Sequence, residues 1–362
     1  MTKLLFSGYY GFDNSGDDAI LEAILKDVRH NEKFDITVLS NNPKKTRAHY
    51  RVKAVDRFHL KKVFRAIKNC DILISGGGSL LQDVTSTRSL YYYLGLIFLA
   101  KLKKKKVYLL ANGIGPIKSS FNRWVTARIL NKVDVITLRD QMSYDFVKNI
   151  GVTKPKLQIT ADPVYRLKPL EGPARENLFF HLGIDPEKKY IGLALRDWSE
   201  PEDLKEKFQS LLKELVDRGH QLLLLPLFYP QDAQYFKELM AGLEDLSQVT
   251  LVDEKIAVDE MLACVDILSA FIPMRLHGLI YGVSRAVPMV PISYDPKVEG
   301  LVKDLEMETY FTTENFQVQD LVEKVEAIYD KDQAREFLRE KRKILEERTD
   351  ENQKVLEDLL EE

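Results

Sequence analysis

Residues 71–79 read Asp71-Ile72-Leu73-Ile74-Ser75-Gly76-Gly77-Gly78-Ser79. The unbroken apolar run from Ile72 to Ile74 suits a strand buried on both faces, as in a parallel sheet with helices above and below. The glycines behind it let the chain turn sharply into a crossover. The same unit recurs on either side. KLLFS (3–7) and DITVLS (35–40) precede it, KVYLLA (106–111), DVITL (134–138) and LQIT (157–160) follow, and helical patterns separate them. A second series, YIGLAL (190–195), QLLLLPL (221–227), QVTLV (248–252), VDILSAF (265–271) and VPMVPIS (287–293), fills the rest. Two successive βαβ series predict an α/β protein of two Rossmann-like, doubly wound domains facing a central cleft, with ligand-bearing loops at the carboxyl ends of the strands.

The stretch from Asp162 to Asn177, DPVYRLKPLEGPAREN, carries three prolines and a glycine and reads as the linker. The expected domains are residues 1–165 and 176–330, followed by a helical extension over 331–362. That extension is charged, has sparse apolar positions at Phe337, Leu338, Ile344, Val355 and Leu359, and is expected to act as a brace. A chain of 362 residues, 45% hydrophobic and 30% charged, can build two cores and is neither disordered nor fibrous. No apolar run approaches the roughly 18 residues of a spanning helix, and the opening MTKLLFSGYYG lacks the pattern of a signal peptide, so a cytoplasmic protein is expected. Cys70 and Cys264 lie beside apolar runs and read as buried thiols, not as a disulfide or a metal site.

The net charge of −2 conceals an asymmetry: residues 1–170 carry 30 Lys and Arg against 14 Asp and Glu, while the remaining 192 carry 23 against 41. A basic half points either to an anionic partner or surface, or to attraction between the two halves. Within it, LYYYLGLIFLAKL (90–102) followed by Lys103–Lys106 reads first as a core-packed crossover helix with a basic turn. The alternative is peripheral contact with an anionic membrane.

Five loops at strand ends can carry chemistry. The first, GYYGFDNSGDD (8–18), combines three glycines with Asp13, Asn14, Asp17 and Asp18, and Ser15 is the expected helix cap. Carboxylates here suit the hydroxyls of a neutral polyol better than a phosphate, and capping of the helix is the competing reading. The Gly76-Gly77-Gly78 turn offers backbone N–H groups to an anion, although Leu81 replaces the third glycine of a dinucleotide fingerprint and no Walker motif occurs. NGIGP (112–116) is again glycine-rich, and Arg139 follows DVITL with Asp140 or Asp145 as its local alternative partner. The sharpest site is Met274-Arg275-Leu276-His277-Gly278, with Lys297 in the following YDPKVEG. Two fixed cations and a titratable ring there make an anion site with an acid in it. Arg196 is a further anion ligand, unless Asp197, Glu200 or Glu202 pairs with it. His30, His49, His59, His181 and His220 show no metal-binding spacing, so no metal is expected.

GYYGFDNSGDDAIL, GGGSLLQD, NGIGP, ADPVY and RLHGLIYG followed by DPKVEGL, in this order over residues 3–305, resemble the polysaccharide pyruvyltransferase family, in particular its CsaB type. Asp18 stands where the family pattern has glutamate. The resemblance implies a GT-B-like enzyme that uses phosphoenolpyruvate to place a ketal pyruvyl group on a sugar, with no cofactor beyond the substrates and no nucleic-acid partner. For the CsaB type the acceptor is a terminal N-acetylmannosamine, bridged at O4 and O6, of a lipid-linked disaccharide or polysaccharide precursor of a cell-wall polymer. It also implies that the family's essential histidine is His277, with Arg275, Lys297 and Arg139 as its basic residues. Joined to the reading of the loops, this makes His277 the catalytic acid, Arg275, Lys297 and Arg139 with the Gly77 and Gly78 turn the donor site, and Asp13, Asn14 and Asp17 the acceptor side. The alternative is a GT-B glycosyltransferase that uses a nucleotide sugar, for whose ribose Glu299 is available.

Overall fold

The computed structural model describes residues 1–29, 34–84, 86–198 and 201–361, so His30 and Glu200 lie outside the described residues. The chain forms two compact units, Met1–Arg166 with Leu345–Glu362, and Leu167–Ile344.

The first unit is built on seven parallel strands among the described residues: β1 (Thr2–Ser7), β2 (Phe34–Ser40), β3 (Lys53–Asp56), β4 (Ile72–Gly76), β5 (Lys106–Asn112), β6 (Val135–Leu138) and β7 (Lys156–Ile159). Their order is β3-β2-β1-β4-β5-β6-β7, so the direction of winding reverses between β1 and β4. β4 is buried along its whole length, as its lack of alternation requires. Its core joins Leu5, Leu73 and Leu109 to helix residues such as Ile67, Leu94, Ile97 and Leu130. The first helix, Ser15–Arg29, is capped by Asn14, not Ser15: Asn14 Oδ1 accepts from Gly16 N at 3.1 Å, the reach a side chain has from the residue just before the helix.

The second unit holds β8 (Tyr190–Ala194), β9 (Gln221–Leu224), β10 (Val249–Leu251) and β11 (Leu268–Pro273), in the parallel order β10-β9-β8-β11. Residues 265 and 266, expected in a strand, instead end the helix Val258–Asp266. Of 287–293, only β12 (Ile292–Ser293) is a strand, paired with β13 (Phe311–Thr312). Pro288 and Pro291 lack the N–H groups a longer ladder needs. Its core gathers Ile191, Leu193, Leu222, Leu224, Ala270 and Ile272 with Phe208, Leu212 and Phe316. The fold is thus α/β with parallel sheets in both units.

Helix Asp332–Glu361 is divided between the two. Asn352, 3% exposed, fixes its second part to the first unit: its Oδ1 accepts from Thr137 Oγ1 and Thr160 Oγ1, both at 2.8 Å, and its Nδ2 donates to Ala161 O at 3.0 Å. Cys70 and Cys264 are buried and form no disulfide. Among the described residues no helix is long and apolar enough to cross a membrane.

Candidate functional site

In the second unit, Arg196 follows β8, Arg275 and His277 follow β11, and Tyr294 and Lys297 follow β12. β8 lies along one edge of β11, and a bond from Val290 N to Phe271 O at 2.9 Å seats the segment before β12 along the other. The bond from Arg196 Nη1 to Tyr294 OH, at 3.0 Å, therefore reaches across the strand end from which Arg275 and His277 emerge. The Arg196 guanidinium carbon lies 4.8 Å from the Tyr294 ring centroid and 5.1 Å from that of Trp198, so both rings restrain the guanidinium.

Arg275 is the residue before helix Leu276–Ser284 and keeps an extended backbone, φ −82° and ψ 142°. Gly278 lets that helix begin close to the sheet, because a Cβ there would stand 3.0 Å from Pro273 Cβ and 3.4 Å from Leu227 Cδ1. The Arg275 side chain is committed to a carboxylate that sequence reading did not name. Its Nε donates to Asp232 Oδ2 at 2.7 Å and its Nη2 to Asp232 Oδ1. Asp232 is 2% exposed, stands in the first turn of helix Gln231–Met240, and also accepts from Phe228 N at 2.9 Å. A guanidinium carries five N–H donors, so this fork can hold Asp232 and still present donors to a ligand.

His277 occupies the first turn of the Leu276–Ser284 helix, half-buried, with its ring centroid 6.3 Å from that of Tyr281. Lys297, also half-buried, occupies the first turn of helix Pro296–Asp304, which Asp295 caps by accepting from Lys297 N at 2.9 Å. The two helices pack against each other. The structure thus places Arg275, His277 and Lys297 at the starts of two helices that contact each other, and the first-turn N–H groups of each favour negative charge.

In the first unit the predicted residues fall into two sets. Asp17, Gly77, Gly78 and Arg139 form one. Gly77 and Gly78 have φ of +59° and +72°, and Gly78 is so close to Asp17 that a Cβ would lie 3.2 Å from its Oδ1. Gly77 N donates to Leu110 O at 2.8 Å, so this N–H belongs to the sheet end and not to an open anion cradle. Arg139 is nearly enclosed: its Nη1 donates to Asp162 Oδ2 at 2.9 Å, its Nη2 to Ser79 Oγ at 2.9 Å, and its Nε lies 3.6 Å from Asp140 Oδ2. Asp145 instead accepts from Gln141 Nε2. Burial, with Asp18 and Asp162 adding to it and Arg139 and Arg57 opposing it, pushes the Asp17 carboxyl up to about 8. A carboxyl so raised is largely protonated at neutral pH, so it can donate through its O–H as well as accept through its carbonyl oxygen, where its sequence context suggests an acceptor alone. Asp13 and Asn14 form the second set. Asp13 pairs with Lys45 at 2.7 Å, and Asn14 caps the helix.

Arg57, 4% exposed, is a residue that sequence reading missed. It donates to Gly8 O at 2.9 Å and to Tyr93 OH at 3.1 Å, and its guanidinium carbon is 4.6 Å from the Tyr92 ring centroid and 5.2 Å from that of Phe12. It thereby fixes the first loop from beneath. Among the described residues no group of three or more His, Cys, Asp or Glu is placed to hold a metal ion.

A family model described as polysaccharide pyruvyl transferase matches residues 14–296. The amylovoran biosynthesis protein AmsJ of Erwinia amylovora is 23% identical over 363 aligned positions, spanning 84% of this chain and 86% of that protein. Among solved structures, the UDP-GlcNAc 2-epimerase of Neisseria meningitidis bound to UDP-GlcNAc superposes with a TM-score of 0.68 at 12% identity, covering 100% of both chains. HepE of Anabaena in complex with UDP and glucose does so with a TM-score of 0.62 at 13% identity, again over 100% of both. The UDP-GlcNAc 2-epimerase of Methanocaldococcus jannaschii reaches 0.64 at 11% identity, over 92% of this chain and 94% of that one. At such identities these likenesses speak to fold alone, which is GT-B-like with two Rossmann-like units.

Proposed function

The chain belongs to the polysaccharide pyruvyl transferase family, and on that premise we propose that it transfers a pyruvyl group from phosphoenolpyruvate to a sugar as a cyclic ketal, releasing phosphate. The observation that carries this reading is the placement of Arg275, His277 and Lys297 at the starts of two helices that pack against each other and follow strand ends of the second unit. An enol phosphate offers a carboxylate and a phosphate to such cations.

His277 in its imidazolium form donates a proton to the methylene carbon, which becomes the methyl group of the product. The central carbon, now electrophilic, takes one sugar hydroxyl, whose proton is lost. The C–O bond to phosphate then breaks with Arg275 and Lys297 balancing the leaving charge, and the second hydroxyl of the same sugar closes the ring and gives up its proton. Closure is intramolecular and is helped by proximity. Asp17 and the loop bearing Asp13 and Asn14 orient the acceptor. We assign that acceptor, as in the CsaB type, to a terminal N-acetylmannosamine with free O4 and O6 on a lipid-linked cell-wall precursor.

Incubation with phosphoenolpyruvate and synthetic lipid-linked disaccharides tests this. The expected result is acceptor-dependent phosphate release together with a pyruvyl mass increment, both abolished when O4 is methylated. Transfer of a sugar from a nucleotide donor with no pyruvyl increment would assign the chain to the glycosyltransferase alternative.

A further inference from the structure

The first unit exposes three helices side by side, Leu60–Asn69, Thr87–Leu102 and Ser120–Leu130, the middle one touching both others. None contains an acidic residue, and from Arg57 to Val133 the chain has 15 Lys and Arg against Asp71 and Asp83 alone. A solvated helix ordinarily turns charge outward. Here the outward stripe of the middle helix is Tyr91, Gly95, Phe98 and Leu102, with Tyr91 41%, Phe98 45% and Leu102 63% exposed. The flanking helices extend the apolar surface with Phe64, 42% exposed, and with Phe121 and Trp124, 63% and 55% exposed. Basic groups are interleaved with these rings across the helix boundaries: Lys103 Nζ lies 5.1 Å from the Phe64 centroid and Lys132 Nζ 5.3 Å from that of Phe98.

A contiguous exposed apolar face of this kind marks an interaction surface. Its charge selects the occupant. A second copy laid face to face would oppose one strongly basic surface with another, whereas an anionic bilayer supplies phosphates for the lysines and an acyl boundary for Phe98, Leu102 and Trp124. We propose that this three-helix layer docks peripherally on the anionic surface of a phospholipid bilayer.

The full chain is tested without phosphoenolpyruvate or acceptor, so the result is independent of the proposed transfer reaction. It is expected to float with mixed phosphatidylcholine and phosphatidylglycerol vesicles, weakly with phosphatidylcholine alone, and less as salt rises. Two sets of exposed substitutions probe the face: Phe98→Ser with Trp124→Ser, and Lys61→Gln, Lys68→Gln and Lys104→Gln together. Each set is expected to lower vesicle partitioning by about tenfold or more while circular dichroism and melting stay as in the parent. Brominated lipid is expected to quench tryptophan fluorescence in the parent and not in Trp124→Phe. Absence of flotation with anionic vesicles, or equal flotation of the parent and both variant sets, overturns the proposal. So does a parent dimer that the substitutions split, which would give this face to a second copy.

Discussion

Arg275 grips Asp232 through two N–H donors, and the carboxylate so held is almost wholly enclosed. Removing one member of a buried ion pair costs about 3–5 kcal/mol, because the other charge stays behind unmatched. Arg275→Ala is therefore expected to weaken the fold of the second unit as well as donor binding. The joint change Arg275→Met with Asp232→Leu is expected to be more stable than either single replacement. Urea unfolding of the two single variants and the double variant closes the cycle, and strictly additive losses would show that the pair is not coupled.

His277→Gln preserves size and polarity but removes the titrating ring. The expected outcome is a fall in kcat of about a hundredfold or more, with phosphoenolpyruvate still raising the melting temperature as it does in the parent. Arg275→Ala, by contrast, should raise KM for phosphoenolpyruvate as well as lower kcat, because Arg275 holds the bound donor and also the leaving phosphate. Steady-state rates with varied phosphoenolpyruvate separate the two, and undiminished kcat in the glutamine variant would dismiss the acid role.

The Asp17 carboxyl, lifted to about 8 by burial and by Asp18 and Asp162 against the pull of Arg139 and Arg57, makes stability pH-dependent. Its native form binds a proton more firmly than the unfolded chain does. Its contribution is therefore full below the ordinary carboxylate range and is lost as pH rises from about 4 toward 8. Asp17→Asn should melt close to the parent at pH 4 and increasingly above it up to about pH 8, after which the gap levels off. Paired thermal melts across this range check the sign.

Two glycines of the first unit should respond in opposite directions to alanine. At Gly77, with φ +59°, a Cβ would fall 2.2 Å from Ile20 Cγ2, so Gly77→Ala is expected to destabilise. The cost is about 1–3 kcal/mol. Gly95, in the helix Thr87–Leu102, has open space around its Cβ direction. Gly95→Ala is expected to stabilise by about 0.5–1 kcal/mol, because the helix then orders a less flexible chain. Denaturant melts of the two variants measure both.

Strands buried on both faces were legible in the sequence because double burial demands an unbroken apolar run, as in Ile72–Ile74 and Leu222–Leu224. β3 was not, since Lys53–Asp56 is a short edge strand, only partly buried, and carries no such run. The Arg275-to-His277 turn could be placed at a helix start from its position behind an apolar strand. Asp232 could not be found that way: it lies 43 residues from Arg275 and no periodicity links the two. The same holds for Arg57, whose aromatic surroundings come from segments far apart in the chain. The state of Asp17 was likewise hidden, because its charge depends first on burial and then on neighbours such as Arg139 and Asp162, which only folding brings near.

The anchoring of Asn352 bears on how the protein is made. Thr137, Thr160 and Ala161 are translated long before their partner in the helix Asp332–Glu361. At ribosomal speeds, that interval is on the order of ten seconds or more. Throughout it, the nascent first unit lacks the Asn352 bonds to Thr137, Thr160 and Ala161, and only residues synthesised after the entire second unit can supply them.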